Sequence, residues 1–174
     1  MYYLPPCKKT PASTLFSLKL LFLLLAFLPL TAVMAQKEKV EKQDKAIKEV
    51  VNRFFDGMNK GDTVLLRSTC TEAPVLQTFM ADKEGKWRVF TEDFNEFVAF
   101  VGSPSDKKYE EKIEFGHIEA EQSLASVWTP YKFLVNGKVS HTGTNSFQLV
   151  KTADGWKIQY IIDTRRKGEK SKGR

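Results

Sequence analysis

Apolar positions in the first half of the chain follow a helical period. Ile47, Val50, Val51, Phe54, Phe55 and Met58 recur at i, i+3, i+4, i+7, i+8 and i+11, a wide stripe on one helix. Asn59-Lys60-Gly61-Asp62 ends it, with Gly61 near the position just past the helix. Asp62 is placed to cap a short second helix from Thr63 to about Cys70, and Pro74 closes that piece. Val75 to Phe90 alternates weakly about Asp82-Lys83-Glu84-Gly85, which predicts a hairpin. Thr91 is the expected N-cap of a third helix, with Glu92 and Asp93 in its first turn. Its apolar face is Phe94, Phe97, Val98 and Val101, and Gly102 stops it.

From Tyr109 onward the period changes to two. Tyr109 to Glu121 turns near Gln122 into Leu124 to Val135. Asn136-Gly137 is a strong hairpin signal, because both residues tolerate positive φ. Lys138 to Thr152 follows, then an Asp154-Gly155 turn, then Trp156 to Thr164. Three linked hairpins make a four-stranded antiparallel meander. A long twisted sheet has one apolar face to cover, and three helices are available to cover it. The expected fold is an α+β roll, a curved antiparallel sheet wrapped around the long N-terminal helix.

The first 35 residues stand apart from this pattern. Lys8, Lys9 and Lys19 are basic, no Asp or Glu precedes Glu38, and Leu20 to Leu30 is a short apolar run. Val33 and Ala35 then offer small or medium residues at −3 and −1. These are the parts of a secretory signal peptide cut before Gln36, against the alternative of an uncleaved N-terminal anchor; the chain is expected in the periplasm or outside the cell, with no membrane attachment after cleavage. The expected organisation is signal peptide over 1–35, one domain over 36–164, and a basic disordered tail over 165–174.

Removing the presequence changes the meaning of the charge. The whole chain carries 27 Lys and Arg against 21 Asp and Glu, a formal +6. Three of the lysines leave with the signal, and six basic residues sit in the last ten. The domain between them is slightly acidic, so a folded basic face for nucleic acid is not indicated. Cys7 also leaves, and Cys70 is then a lone thiol. Without an internal disulfide, packing must stabilise the domain. Ser68, Thr69 and Thr71 supply no base beside Cys70, which reads as a small buried residue. His117 and His141 are the two histidines and no Cys/His cluster exists, so neither a metal nor another cofactor is expected.

Two stretches carry a family resemblance: Ala46 to Asp62, ending in Asn-x-Gly-Asp, and Asn145 to Thr164, with Asp-Gly-Trp-Lys-Ile across its turn. The first resembles the opening helix, and the second the last hairpin, of the nuclear transport factor 2-like superfamily. The stretch from Val127 to Gly143 resembles its secreted bacterial members. The resemblance spans about Lys45 to Arg165. It implies a cone whose wide end opens into a pocket between sheet and helices. The superfamily includes ketosteroid isomerases, polyketide cyclases, epoxide hydrolases, dehydratases and members without assigned chemistry, so the fold does not choose a reaction.

Strand parity then selects the pocket. With Phe147 and Leu149 inward, counting back by two places Asn145, Gly143, His141 and Val139 on the same face, unless a bulge at Gly143 turns His141 outward. Thr129, Tyr131 and Phe133 share the inward parity of the neighbouring strand, so Tyr131 can meet His141. Tyr131, His141, Asn145, Thr129 and Phe147 are the candidate ligand-binding residues. His141 is also the candidate acid/base, against the alternative of a core histidine that is hydrogen-bonded in place. In the last strand Trp156, Ile158, Tyr160 and Ile162 form the more apolar set, which sends Asp163 outward and leaves no inward pair of carboxylates.

Three functions fit these residues. One is an exported domain that binds a small apolar or aromatic molecule without catalysis. Another is a lyase, isomerase or cyclase using His141. The third is a dimeric scaffold, with Trp128 and Leu134 on the outer sheet face as the homodimer contact.

Overall fold

The computed structural model describes the backbone of residues 12–167 and the side chains of residues 33–166. The basic residues and apolar run behind the export expectation, and most of the basic tail, lie outside the described side chains. Among the described residues no helix is long and apolar enough to cross a membrane. The chain divides into two units, Met1–Lys42 and Gln43–Arg174. Helix α1 spans Ala12–Lys60, and its part from Gln43 onward belongs to the second unit together with the whole sheet.

The apolar stripe of α1 does what its period requires. Ile47, Val51, Phe54 and Phe55 are buried, and Val50 and Met58 flank them. Helix α2 (Thr63–Ser68) starts at Asp62, whose side chain accepts a hydrogen bond from Leu65 N. Helix α3 (Phe94–Gly102) is capped two residues later than expected. Asp93 accepts from Asn95 N at 2.8 Å and Glu96 N at 3.0 Å, while Thr91 is still in a strand.

Among the described residues seven strands form one sheet: β1 (Cys70–Ala81), β2 (Trp87–Glu92), β3 (Tyr109–Ile113), β4 (Ile118–Glu121), β5 (Leu124–Val135), β6 (Lys138–Thr152) and β7 (Gly155–Lys167). Their order is β2-β1-β7-β6-β5-β3, with β4 also on β5. The expected meander is present as β5, β6 and β7, and the expected hairpin as β1 and β2. The hairpin joins the sheet through a parallel pairing of β1 with β7. Residues 114–117 interrupt the first meander strand, yet Glu114, Gly116 and His117 still bond the β5 backbone. Asn136 and Gly137 both take positive φ, +52° and +76°, as their turn requires.

Phe147 is fully buried and meets the rings of Phe54 and Phe55 edge-on, at 6.1 and 5.8 Å between centroids. Leu149, Ile158, Val127 and Leu66 complete the closed end of this core. Two bulges decide what the open end displays. Phe133 pairs His141 but Leu134 pairs Val139, so Ser140 is the extra residue in β6. Val139 therefore leaves the inner face and is exposed, whereas His141 stays on it. In β7, Gln148 pairs Tyr160 but Leu149 pairs Ile158, so Gln159 is extra. Beyond Gln159 the phase reverses, and Ile161 and Asp163 turn inward. The outward placement of Asp163 expected from uninterrupted alternation is thereby corrected.

Candidate functional site

A cavity of about 710 Å³ opens between the inner sheet face, the end of α1, α3 and the loop that follows it. Its wall carries a run of ring contacts. Phe100 lies 5.8 Å from Tyr109, Tyr109 lies 6.1 Å from Phe133, and Phe133 stacks on His141 at 4.8 Å. His141 meets Tyr131 edge-on at 5.8 Å. Alternation along β3, β5 and β6 brings Tyr109, Tyr131, Phe133 and His141 to one wall, α3 adds Phe100, and all five line the cavity.

Three carboxyl groups line the same space, and Asp163 and Glu111 among them lie in different surroundings. Asp163 is buried and held by three side chains. Thr78 Oγ1 donates to its Oδ1, Tyr131 Oη donates to Oδ2 at 2.7 Å, and Arg165 Nε lies 3.3 Å from Oδ2. Tyr131 reaches Asp163 from β5 by crossing β6 over Gly143. A Cβ at Gly143 would stand 2.5 Å from the tyrosine ring and 1.8 Å from Thr164 O. Burial, then the Asp163 charge and hydrogen bond, push the Tyr131 hydroxyl well above the usual phenol range.

Glu111 receives one side-chain hydrogen bond, from Asn145 Nδ2 to Oε1 at 2.8 Å. Its backbone is clamped to the end of α1, where Asn59 accepts from Glu111 N at 2.8 Å and donates to Glu111 O at 3.2 Å. The Asn of the helix-ending Asn-x-Gly-Asp thus places the carboxyl. Burial pushes Glu111 up to about 7; the Asp163 charge adds to the rise, while Asn145 and Arg165 oppose it. Burial also raises Glu92, at the cavity's β2 side. Burial and then the Arg165 charge lower His141 and favour its neutral ring, against the opposing pull of the Asp163 charge. Its Nδ1 lies 3.4 Å from Ser140 Oγ.

Solved structures share this architecture. A nuclear transport factor 2-like protein of unknown function from Shewanella baltica superposes with a TM-score of 0.55 at 19% identity, over 72% of this chain and 94% of that one. A second such protein, from Silicibacter pomeroyi, gives 0.56 at 11% identity, over 73% and 98%. A conserved protein from Planctomyces limnophilus gives 0.58 at 19% identity, over 73% and 98%. The chain has the nuclear transport factor 2-like fold. No protein-family model and no curated protein matches the sequence.

Within this nuclear transport factor 2-like fold, Tyr131, His141, Asn145 and Phe147 line the cavity, as parity expects. Thr129 does not. It is fully buried, and Asn145 Nδ2 lies 3.3 Å from its Oγ1, so it orients the amide. The expectation of no inward carboxylate pair is corrected by Asp163 and Glu111 together. Sequence reasoning missed Glu111 because it sits in a run of charge, Glu110-Glu111-Lys112. The signal was its parity with Tyr109 and Ile113, against Glu110 and Lys112. Cys70 is buried, and burial pushes its thiol up to about 11. Trp128 stands on the outer face of the sheet, half exposed at 51%.

Proposed function

We propose that this domain binds a small, mainly apolar molecule in the cavity above the sheet. The observation that carries this reading is an open space of about 710 Å³, walled by aromatic rings and holding a few polar groups at fixed positions. Tyr131, His141, Asn145 and Phe147 are the contacts expected from β5 and β6. A thermal-shift screen of apolar and aromatic compounds tests it. A ligand at 100 times its Kd raises stability by about 2.7 kcal/mol, so a true ligand is visible. A broad library without one stabilising compound defeats the reading.

A second reading, proton-transfer catalysis of the isomerase, lyase or cyclase kind, is favoured by one observation. Glu111 has a carboxyl pushed up to about 7 and faces the cavity beside the Tyr131–Asp163 hydrogen bond. On this reading Glu111 takes the proton, and the neutral His141 ring is a second group able to carry it. Deuterium exchange at carbon beside a carbonyl, followed by NMR, measures the chemistry. Equal exchange rates in the native protein, Glu111→Gln and His141→Ala would remove both residues from it.

Export with cleavage before Gln36 is proposed on the presequence pattern, and N-terminal sequencing of protein recovered outside the cytoplasm checks it. A homodimer through the outer sheet face is proposed on the exposed Trp128. Sedimentation of the native protein and Trp128→Glu checks that, and a monomer in both removes it.

A further inference from the structure

Of the three carboxyl groups that line the cavity, Glu92, Glu111 and Asp163, the last two differ in what neutralises them. Asp163 has Arg165, the Tyr131 hydroxyl and the Thr78 hydroxyl. Glu111 has a single amide donor, and among the described residues no cation forms an ion pair with it. A carboxylate taken from water needs a compensating charge or a set of donors, and this site supplies neither in full. The adjoining wall is aromatic: Glu111 is the register partner of Phe133, beside Tyr109 on its own strand, and His141 follows Phe133 on the next. Ring faces attract cations and do nothing comparable for anions. An uncompensated carboxyl beside a run of aromatic rings is the complement of a positively charged nitrogen on an apolar body.

We propose that the molecule held in this cavity is an organic cation, an amine or ammonium compound, whose nitrogen lies against Glu111 and the ring wall of Tyr109, Phe133 and His141. This rests on the small-molecule reading above and names its ligand class. The other charged groups facing the cavity are Asp163 and Arg165 on β7, Glu92 on β2, Lys60 at the end of α1, and Lys107 and Lys108 on the loop after α3, with Tyr109 on β3, Tyr131 on β5 and His141 on β6 as the remaining titratable ones. Arg165 is engaged by Asp163 at 3.3 Å, and Lys60 by Asp56 at 3.2 Å. Lys107 and Lys108 are exposed at the rim, where water and salt screen them. The deep wall therefore remains acidic.

The test uses three probes with one aromatic body: 2-phenylethylammonium, 2-phenylethanol and 3-phenylpropionate. Calorimetric titrations of the domain run at about pH 8 and about pH 5, on either side of the Glu111 transition near 7. The ammonium is expected to bind at least about tenfold tighter than the carboxylate at about pH 8. Its advantage over the alcohol should shrink at about pH 5, where Glu111 holds a proton. Glu111→Gln should lose about tenfold in ammonium affinity and keep its affinity for the alcohol. The ligand class is overturned if the carboxylate binds as tightly as the ammonium, or if Glu111→Gln leaves ammonium affinity unchanged. In either case binding of any probe leaves the small-molecule reading standing. Absence of binding by all three counts against both.

Discussion

Replacing Glu111 by Gln should make the ligand-free protein more stable at neutral and alkaline pH. Glu111 has its carboxyl raised from 4.5 to about 7 in the folded state, chiefly by burial. The folded chain therefore binds that proton more tightly than the unfolded chain does. The group's contribution is complete below the unfolded value, declines as pH rises through the window from 4.5 to about 7, and is gone above it. At 1.36 kcal/mol per pH unit, the ionised carboxylate disfavours the fold by about 3 kcal/mol. Water entering an open cavity relaxes part of that penalty, and about 2 kcal/mol is the expected net effect. Gln keeps an oxygen for the Asn145 amide and carries no charge. Thermal unfolding at about pH 8 should show Glu111→Gln melting roughly 6–10 °C higher than the native chain. At about pH 4 the two should coincide, because both side chains are then neutral. Parallel stability–pH curves for the two proteins would refute the assignment of a partly buried, uncompensated carboxyl. So would a variant less stable than the native chain at about pH 8. A residue that weakens the empty protein and is nonetheless present is what a binding site contains.

Further outcomes follow from the same geometry. Gly143→Ala forces a Cβ to within 1.8 Å of Thr164 O and 2.5 Å of the Tyr131 ring, and should cost about 2–4 kcal/mol in urea unfolding; native-like stability would contradict the crossing of Tyr131 over β6. Tyr131→Phe removes the 2.7 Å bond to Asp163 while keeping the ring, and should lose about 1–3 kcal/mol by the same assay. Phe147→Ala empties the contact with Phe54 and Phe55 and should cost about 3–5 kcal/mol; a loss below about 1 kcal/mol would mean that this end of the core is not closed. Cys70, its thiol pushed up to about 11, should react with a disulfide reagent at about pH 8 on the order of 100-fold slower than an unfolded thiol, and an equal rate would show that the strand start is open.

What the sequence determined by itself was local and periodic. A stripe at helical spacing can be buried only against one surface, so Ile47, Val51, Phe54 and Phe55 defined the core side of α1 before any partner was known. Asp62 and the Asn136-Gly137 turn are likewise local, since a cap needs only its next turn and a tight hairpin only two residues that accept positive φ. Long alternation in β5 and β6 placed Tyr131, Asn145 and Phe147 on one face. What tertiary structure alone decided was phase and depth. Ile161 and Ile162 are adjacent, so either phase of β7 buries an isoleucine, and the sequence does not say where the extra residue goes. Pairing with β6, and a register shift against β1 in the same region, put it at Gln159 and turned Asp163 inward. Glu111 carries a parity signal, but its significance depends on how far β3 is drawn under α1, which the Asn59 clamp sets from 52 residues away in sequence. Charge in a strand reads as solvated until the fold shows what lies over it, because burial is a property of the partners and not of the residue.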